Sequence, residues 1–373
     1  MKAGWRVKPL GEVVKLNYGK AISRDVRNEH GSVPVFGANG VMDYCETPLH
    51  SEPSIIVGRK GSAGAINRTD SPFWASDVSY YTTHDKTLID FDYLHFQLLS
   101  MDLQSMAKGV KPGINRDEVY ALHVSLPPLE EQQRIVAILD EAFEGLARAR
   151  AHAEANLHNA RELLERELET ALDELSLKYG KTELGCVADF RNGFAFKSEK
   201  FKPSGEPIVR ISNIQFGEVD ATKMVYTDPS DYREDLSRYR VQPDELLIAM
   251  SGATTGKVGF NTTGKVLLQN QRVGRFCPTD RLRLSYLYFL LSTKVAEHLA
   301  ISAGAAQPNL STKQIEEIEL PVPPLDIQDA FVADIETLRA AVNNLKEVYL
   351  EKLQSLSSLR QSLLQKAFAG ELT

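Results

Sequence analysis

The feature of this sequence that most constrains its fold is a repeat that covers essentially the whole chain of 373 residues. Pro127-Pro128 recurs as Pro323-Pro324, and Pro112-Gly113-Ile114-Asn115 recurs as Pro308-Asn309-Leu310-Ser311, both at an offset of 196 residues. A constant offset over this span argues against coincidence. The chain therefore contains two copies of one unit, and a fold assigned to the first half must also be available to the second.

Each copy ends in a segment with the pattern of a long coiled-coil helix. The prolines and acidic residues at its start suit a helix N-terminus, because proline needs no backbone donor there and carboxylates face the positive end of the dipole. Apolar residues recur at spacings of three and four from Ile135 to Leu175, and again from Ile327 to Ala367, which indicates a coiled-coil seam. With Gly180 as a stop, the first helix is predicted to span about 48 residues, or about 70 Å.

The segments outside the helices predict two α+β domains of about 125 to 145 residues each. Val33–Gly37 and Ser54–Gly58 have the pattern of strands bounded by Gly and Pro, and residues 91–106 have helical spacing. The predicted organisation is a first domain at 1–125, a central long spacer helix at 126–180, a second domain at 181–321 and a C-terminal long spacer helix at 322–373.

Several classes of protein are disfavoured by composition. No apolar run approaches the ~18 residues that a membrane span needs, and the N-terminus lacks the apolar core of a signal peptide. Cys45, Cys186 and Cys277 are odd in number and form no close pair, so the sequence suggests neither a disulfide framework nor a cysteine zinc site. These observations predict a soluble, cytoplasmic protein that makes no contact with a membrane.

The formal net charge of −7 is confined to the two helices. Residues 1–128 have a net charge of 0 and residues 180–324 of +1, whereas residues 129–179 have −6 and residues 325–373 have −2. The helices are therefore not expected to lie along phosphates, and their acidic faces suit solvent or a basic protein partner. The neutral domains remain open to nucleic-acid binding.

Polar and basic loops recur at matching places in the two copies. A glycine-rich turn at 58–64 follows a strand in the first half, and a similar loop at 249–257 follows a strand in the second. One such loop alone is more often an ordinary surface turn, but recurrence favours a functional role, because such loops present backbone amides and cations to phosphate and polar groups to base edges. Further polar or basic clusters lie at 191–198 and 269–272. The residues predicted to contact DNA, in the loops, in these clusters and in the repeated segments at 111–115 and 307–311, are Arg59, Lys60, Ser62, Lys111, Arg191, Lys197, Ser251, Thr254, Thr255, Lys257, Gln271, Arg272, Gln307 and Asn309.

No catalytic or metal site can be assembled from the sequence. Residues 259–265 have the spacing of a phosphate-binding loop, but Val266 replaces the Ser or Thr that binds Mg²⁺, and the segment is predicted to be a β-hairpin instead. The eight histidines show no paired ligand spacing. Asp-Pro-Pro-Tyr and Asn-Pro-Pro-Phe, the motifs of amino-methyltransferases, are absent. The alternative of an NTPase using this loop is therefore disfavoured, and catalysis is expected to come from a partner.

The chain resembles the specificity subunits of type I restriction-modification enzymes along its whole length. The strings that carry the resemblance occur in family order: Gly193-Phe194-Ala195-Phe196-Lys197-Ser198, residues 250–259, Asn270-Gln271-Arg272-Val273-Gly274, Gln307-Pro308-Asn309-Leu310-Ser311, the two Pro-Pro-Leu helix starts, and residues 365–372. The first half departs from the pattern, since Lys111-Pro112-Gly113-Ile114-Asn115 replaces the usual Gln-Pro-Asn-Leu-Ser, and the first helix lacks a terminal Gln-Lys-Ala-Phe.

The resemblance implies two target recognition domains, each reading one half of a split target in double-stranded DNA. They would be joined by two long antiparallel coiled-coil helices that act as a spacer, with pseudo-twofold symmetry. It further implies binding of two methyltransferase subunits and of restriction subunits, so that S-adenosylmethionine, ATP and Mg²⁺ would be bound by those partners and no cofactor by this chain. A coiled-coil scaffold with protein-binding ends is the alternative, but it does not predict matching basic loops.

Overall fold

The computed structural model describes residues 4–28, 30–301 and 309–372, with the backbone alone described for 294–301. It divides into two compact units, which are Met1–Asn156 with Val348–Thr373 (unit 1) and Leu157–Glu347 (unit 2). Within the described residues, no helix has both the length and the apolar character needed to span a membrane.

Unit 1 consists mainly of short strands, followed by the first half of a long helix. Its strands and helices, in chain order, are β1 (Arg6–Pro9), β2 (Val14–Tyr18), β3 (Val33–Gly37), β4 (Gly40–Cys45), β5 (Ser54–Gly58), β6 (Ile66–Thr69), β7 (Trp74–Ala75), β8 (Ser79–His84), α1 (Phe91–Ser100), α2 (Arg116–Tyr120), β9 (His123–Leu126) and α3 (Leu129–Tyr179).

The strands of unit 1 form a four-stranded sheet in the order β2-β8-β5-β6, a three-stranded sheet in the order β4-β3-β7, and a β1-β9 ladder. Strand β5 (Ser54–Gly58) contains the apolar run Ile55–Val57, and every residue in the strand is buried. A run that is apolar on both faces suits an interior strand, and β5 indeed pairs with β6 on one side and β8 on the other. The loop that follows β5 therefore has a rigid base.

Unit 2 begins within α3 and repeats this organisation. Its further strands and helices are β10 (Thr182–Glu183), β11 (Ala188–Asn192), β12 (Glu206–Val209), β13 (Gly217–Glu218), β14 (Val225–Thr227), β15 (Arg240–Val241), β16 (Leu246–Ala249), β17 (Val258–Phe260), β18 (Leu267–Gln269), β19 (Val273–Pro278), α4 (Leu284–Ile301), α5 (Thr312–Glu316), β20 (Glu319–Leu320) and α6 (Leu325–Ala369).

The predicted hairpin around residues 259–265 is wrong. Both flanking strands exist, but β17 lies in the five-stranded sheet β11-β19-β16-β17-β13 and β18 in the four-stranded sheet β14-β12-β18-β15. The buried amide of Asn261 donates to the carbonyls of Gln242 (3.0 Å) and Lys265 (2.8 Å). These bonds fix the connecting loop as a crossover between two sheets, which local sequence alternation cannot distinguish from a hairpin.

The duplication is visible in individual hydrogen bonds at the start of each long helix. Gln132 is fully buried, accepts from the backbone N–H of Asp90 (2.8 Å), and donates to the carbonyls of Leu88 and Pro127. Gln328 makes the same three kinds of bond in unit 2, with the backbone of Arg281, Arg283 and Pro323. Each helix is thus joined to its own domain by one buried amide side chain.

The two long helices are as predicted, with 51 residues in α3 and 45 in α6. Helix α3 ends before Gly180, whose φ of 72° is typical of a residue that terminates a helix. In unit 1 the start of α3 shares a core with the end of α6, and Asn156 donates to the Tyr349 hydroxyl. In unit 2 the end of α3 shares a core with the start of α6. The helix segments are therefore antiparallel within each unit.

Candidate nucleic-acid interface

The loop after β5 is closed by its own backbone. The Gly64 N–H donates to the Gly58 carbonyl (2.7 Å), and the Gly58 N–H donates to the Ala65 carbonyl (2.8 Å). Gly64 has a φ of +83°, and a Cβ there would lie 2.4 Å from the Leu103 backbone, so no side chain fits. The closed loop leaves Lys60 and Ser62 exposed to solvent.

A second segment packs against this loop and adds another cation. The Gly61 N–H donates to the Pro112 carbonyl (2.9 Å), and Lys60 forms a β-bridge with Gly113. Lys111 precedes Pro112 and is exposed at the same edge. Neither Lys60 nor Lys111 has a side-chain partner among the residues that the structure describes. Four predicted residues, Arg59, Lys60, Ser62 and Lys111, are thus brought together.

Sequence reasoning missed Tyr18, Tyr80 and Arg116, which lie beside this loop. The Arg59 guanidinium lies 5.0 Å from the Tyr18 ring centre and donates to the Asp77 carbonyl (2.9 Å). The Arg116 guanidinium lies 5.1 Å from the same ring. The Tyr80 ring is 5.1 Å from that of Tyr18, and burial, together with a hydrogen bond to Tyr18, raises the pKa of Tyr80. The side chains of Tyr18, Arg59, Tyr80 and Arg116 line a cleft of about 380 Å³.

The loop after β16 in unit 2 has the same backbone plan. The Gly256 N–H donates to the Ala249 carbonyl (2.8 Å), and the Gly256 φ of +84° nearly equals that of Gly64. Ser251 forms a β-bridge with Asn309, as Lys60 does with Gly113. The structure therefore aligns Ser251 with Lys60, and Met250, the preceding residue, with Arg59.

The polar side chains of the unit 2 loop are largely engaged with the loop's own framework. The Thr254 hydroxyl donates to the Ile211 carbonyl (2.9 Å), and the Thr255 hydroxyl donates to the Gly252 carbonyl (2.6 Å). The Lys257 ammonium donates to the Gln215 side chain (2.7 Å). Both hydroxyl protons thus serve the shape of the loop.

The other predicted residues of unit 2 are placed around this loop. The Met250 N–H donates to the Arg272 carbonyl (3.0 Å), so the turn carrying Gln271 and Arg272 lies against the loop with both side chains exposed. Asn309 is exposed at the bridge with Ser251. The exposed Arg191 side chain is 3.8 Å from Asp189 on β11. Lys197 is exposed after Phe196, and Gln307 lies outside the described residues.

Within the described parts of the chain, no group of His, Cys, Asp and Glu side chains has the makeup of a metal site. The two loops instead present backbone N–H groups, side-chain hydroxyl and amide groups, and cations at the ends of rigid strands. Such groups make hydrogen bonds and ion pairs to phosphates and base edges.

Comparison with known proteins identifies the family whose sequence pattern the chain shares. The family model described as "Type I restriction modification DNA specificity domain" matches residues 2–152 and 177–354. The chain is 22% identical over 401 residues to the specificity subunit of the type I restriction enzyme MjaVIII from Methanocaldococcus jannaschii, covering 99% of this chain and 93% of that protein. It is 29% identical over 199 residues to the EcoBI specificity subunit of Escherichia coli, covering 52% of this chain and 39% of that protein.

Solved structures show that the fold is shared over the full length. A chain from a structure of a type I restriction-modification system, described in terms of complex assembly and conformational transition, has a TM-score of 0.77 at 18% identity, covering 100% of this chain and 99% of that one. The HsdS subunit from Thermoanaerobacter tengcongensis has a TM-score of 0.62 at 20% identity, covering 100% and 98%. At these identities the likeness concerns the fold alone.

Proposed function

The chain belongs to the family of type I restriction-modification DNA specificity proteins, and on that premise we propose that it is the subunit that reads a two-part target in double-stranded DNA for such a complex. A member of this family is a specificity component and not a catalytic subunit. The observation that carries the proposal is the recurrence of one loop framework in both units, closed by equivalent backbone bonds.

Each unit would read one half of the target through its own loops. The proposed reading domains are residues 1–125 and 181–321, and the proposed spacers are 126–180 and 322–373. In unit 1 the contacts would come from the loop after β5 and from Lys111, and in unit 2 from the loop after β16, the turn at Gln271 and Arg272, and the neighbouring polar residues. Cations would position the phosphates, while amide and hydroxyl groups would read base edges.

The partners in this proposal are methyltransferase and restriction subunits. S-adenosylmethionine, ATP and Mg²⁺ would be bound by those subunits. The acidic residues of α3, such as Glu141, Glu165 and Glu169, are exposed and available to basic surfaces of the methyltransferase subunits. The negative charge of both helices favours this use over contact with phosphates.

Methylation mapping tests the two-part reading. The chain would be expressed with its methyltransferase partners in cells that lack other DNA methylation, and methylated sequences would be determined. We expect one split target, of which only one half changes when residues 1–125 are replaced by the first domain of another family member. A hybrid that changed both halves would contradict independent reading, and a hybrid carrying the second domain instead is the reciprocal control.

A binding titration tests the assignment of the loops. Lys60→Ala combined with Lys257→Ala should weaken binding of duplex DNA whatever its sequence, and should lower the salt slope by about one unit for each phosphate that is no longer neutralised. Lys352→Ala combined with Lys366→Ala removes the same charge from exposed positions of α6 and is the matched control. Equal affinities and slopes for the two double variants would refute the assignment. A wild-type chain that binds no duplex DNA even with its partner subunits would instead favour the scaffold alternative.

A further inference from the structure

The cleft beside the loop after β5 gathers more positive charge than the predicted residues alone. Its lining includes Arg59, Lys60 and Arg116, and one carboxylate, that of Asp117. We propose that this cleft is a phosphate-binding site of unit 1, with Tyr18 as its floor, and that the described residues of unit 2 form no counterpart. The proposal rests on the proposed function in taking a DNA phosphodiester as the natural ligand.

Both guanidinium groups are held in place before any ligand binds. They lie 5.0 and 5.1 Å from the centre of the Tyr18 ring, and Arg59 is further fixed by its bond to the Asp77 carbonyl. Arg116 also lies 5.6 Å from the Tyr120 ring. Aromatic faces stabilise guanidinium groups without neutralising them. Two cations fixed near one ring repel each other, and an anion between them would remove that repulsion.

The carboxylate in the lining does not neutralise the cleft. Asp117 lies 4.0 Å from the Arg116 Nε, and its side chain is 84% exposed, so this pair is weak. The Asn115 side-chain oxygen accepts from the Asp117 N–H (2.8 Å), which leaves its amide group free to donate. Lys60 has no side-chain partner within the described residues. A phosphate would therefore meet guanidinium, ammonium and amide donors, a combination that favours phosphate oxygens.

Strand registers identify the corresponding positions in unit 2. In unit 1, Tyr18 on β2 pairs with Tyr80 on β8, and Tyr80 pairs with Val57 on β5. In unit 2, Asn192 on β11 pairs with Gly274 on β19, and Gly274 pairs with Ile248 on β16. Both tyrosines of the cleft are therefore replaced, one by Asn192 and one by Gly274.

The basic residues of the cleft are replaced as well. Arg59 aligns with Met250, which is 5% exposed and apolar. Arg116 corresponds to Thr312, because the two lie 196 residues apart, which is the offset of the repeat. The Thr312 hydroxyl accepts from the Asn192 side-chain amide (2.8 Å). The nearby Lys313 is paired with Glu317 at 3.5 Å. A neutral hydrogen bond thus occupies the place of Tyr18 and Arg116, and a buried apolar side chain that of Arg59.

The first arm of the test measures DNA binding of the full chain against salt concentration. Arg116→Gln should lower the salt slope by about one unit and weaken binding to all sequences, and Arg116→Lys should restore part of both. Arg6→Gln is the matched control, because Arg6 is an exposed arginine of unit 1 on β1, outside the cleft lining. Thr312→Val, at the corresponding place in unit 2, should leave the slope unchanged.

The second arm uses no DNA. Sodium phosphate, compared with sodium chloride at equal ionic strength, should raise the melting temperature of the wild-type chain and of Arg6→Gln more than that of Arg116→Gln. A slope change without this phosphate effect would mean that the cleft takes only DNA phosphodiesters and would still support the site. A phosphate effect in a chain that binds no duplex DNA even with its partner subunits would support the site and refute the proposed function. Arg116→Gln behaving like Arg6→Gln in both arms would overturn the inference.

Discussion

The buried glutamines at the helix starts show how single side chains can hold an element to its domain. The side chain of Gln132 makes three hydrogen bonds with backbone groups that belong to two other segments of unit 1. Without this side chain, the buried Pro127 carbonyl and two partly buried backbone groups would lose their partner, which is costly in free energy. The side chain therefore fixes the position at which α3 leaves its domain.

Replacing Gln132 tests this role. Gln132→Leu retains the apolar bulk but leaves one N–H and two carbonyls unsatisfied, so we expect the free energy of unfolding to fall by about 2–4 kcal/mol. Urea unfolding followed by circular dichroism would measure the loss. The neighbouring Gln133 is exposed, and Gln133→Leu should change stability by no more than about 0.5 kcal/mol. Similar losses for the two variants would contradict the role given to Gln132.

Burial of His95 in α1 also affects how the free energy of unfolding depends on pH. Burial, with the positive charge of Arg68 nearby, lowers the pKa of His95 from 6.5 to about 4, although Asp92 opposes the shift. The unfolded chain therefore binds more protons at this site than the folded chain between these two values. The contribution of His95 to the free energy of unfolding is therefore complete above pH 6.5, decreases as the pH falls below that value, and is lost as the pH falls through about 4.

A histidine substitution makes this measurable. In His95→Gln, the free energy of unfolding should depend less steeply on pH between about 4 and 6.5 than in the wild-type chain. Urea titrations at half-unit intervals of pH would give the slope. His123→Gln removes an exposed histidine of β9 and controls for the loss of a histidine in general. An unchanged slope in His95→Gln would show that the site does not titrate as inferred.

At the scale of elements, the long helices were predicted well from local sequence patterns, whereas the pairing of strands was not. The seams of α3 and α6 repeat every few residues, so the sequence alone contains the information that sets their length and facing side. Strand partners depend on distant segments, and β17 and β18 were for that reason wrongly joined as a hairpin. The cleft was missed for the same reason, since Tyr18, Arg59 and Arg116 come from three segments that meet only in the fold. The DNA contacts themselves remain predictions.

The loop after β5 permits a prediction about two glycines that share a backbone conformation. Gly61 and Gly64 have φ values of +79° and +83°, but a Cβ on Gly61 meets nothing within 4 Å, whereas one on Gly64 meets the Leu103 backbone. Gly61→Ala should cost about 1–2 kcal/mol from conformational strain alone, and Gly64→Ala roughly 2–5 kcal/mol because steric overlap is added. Thermal unfolding would compare them. Equal costs would show that the loop can move away from Leu103.

At the scale of the whole molecule, the duplication shows which features the two units share and which features differ between them. The backbone bonds that close the two loops and the hydrogen bonds of the glutamines at the helix starts are repeated, because both units need the same framework. The side chains on that framework are not repeated, as Arg59 and Met250 illustrate. Two units that share a scaffold but differ in their exposed groups suit the proposed target with two unlike halves.

The proposal that the helices set the spacing between those halves leads to a prediction about helix length. In unit 1, Leu146 and Arg150 of α3 share a groove with Leu356 and Ser357 of α6, so deleting 146–152 together with 351–357 removes matched heptads and keeps both seams in phase. Seven helical residues correspond to about 10 Å, or roughly three base pairs at 3.4 Å each. We therefore expect the spacer between methylated half-sites to shorten by about that amount.

Methylation mapping would measure the spacer directly in cells that carry the partner subunits. The control keeps helix length constant: Glu144→Ala with Arg148→Ala removes an exposed ion pair of α3 in the same region, and its spacer should equal that of the wild type. The half-sites themselves should be unchanged in the deletion variant, because the loops proposed to read them are untouched. A folded and active deletion variant that methylated sites with the original spacing would refute the idea that helix length determines the distance between half-sites.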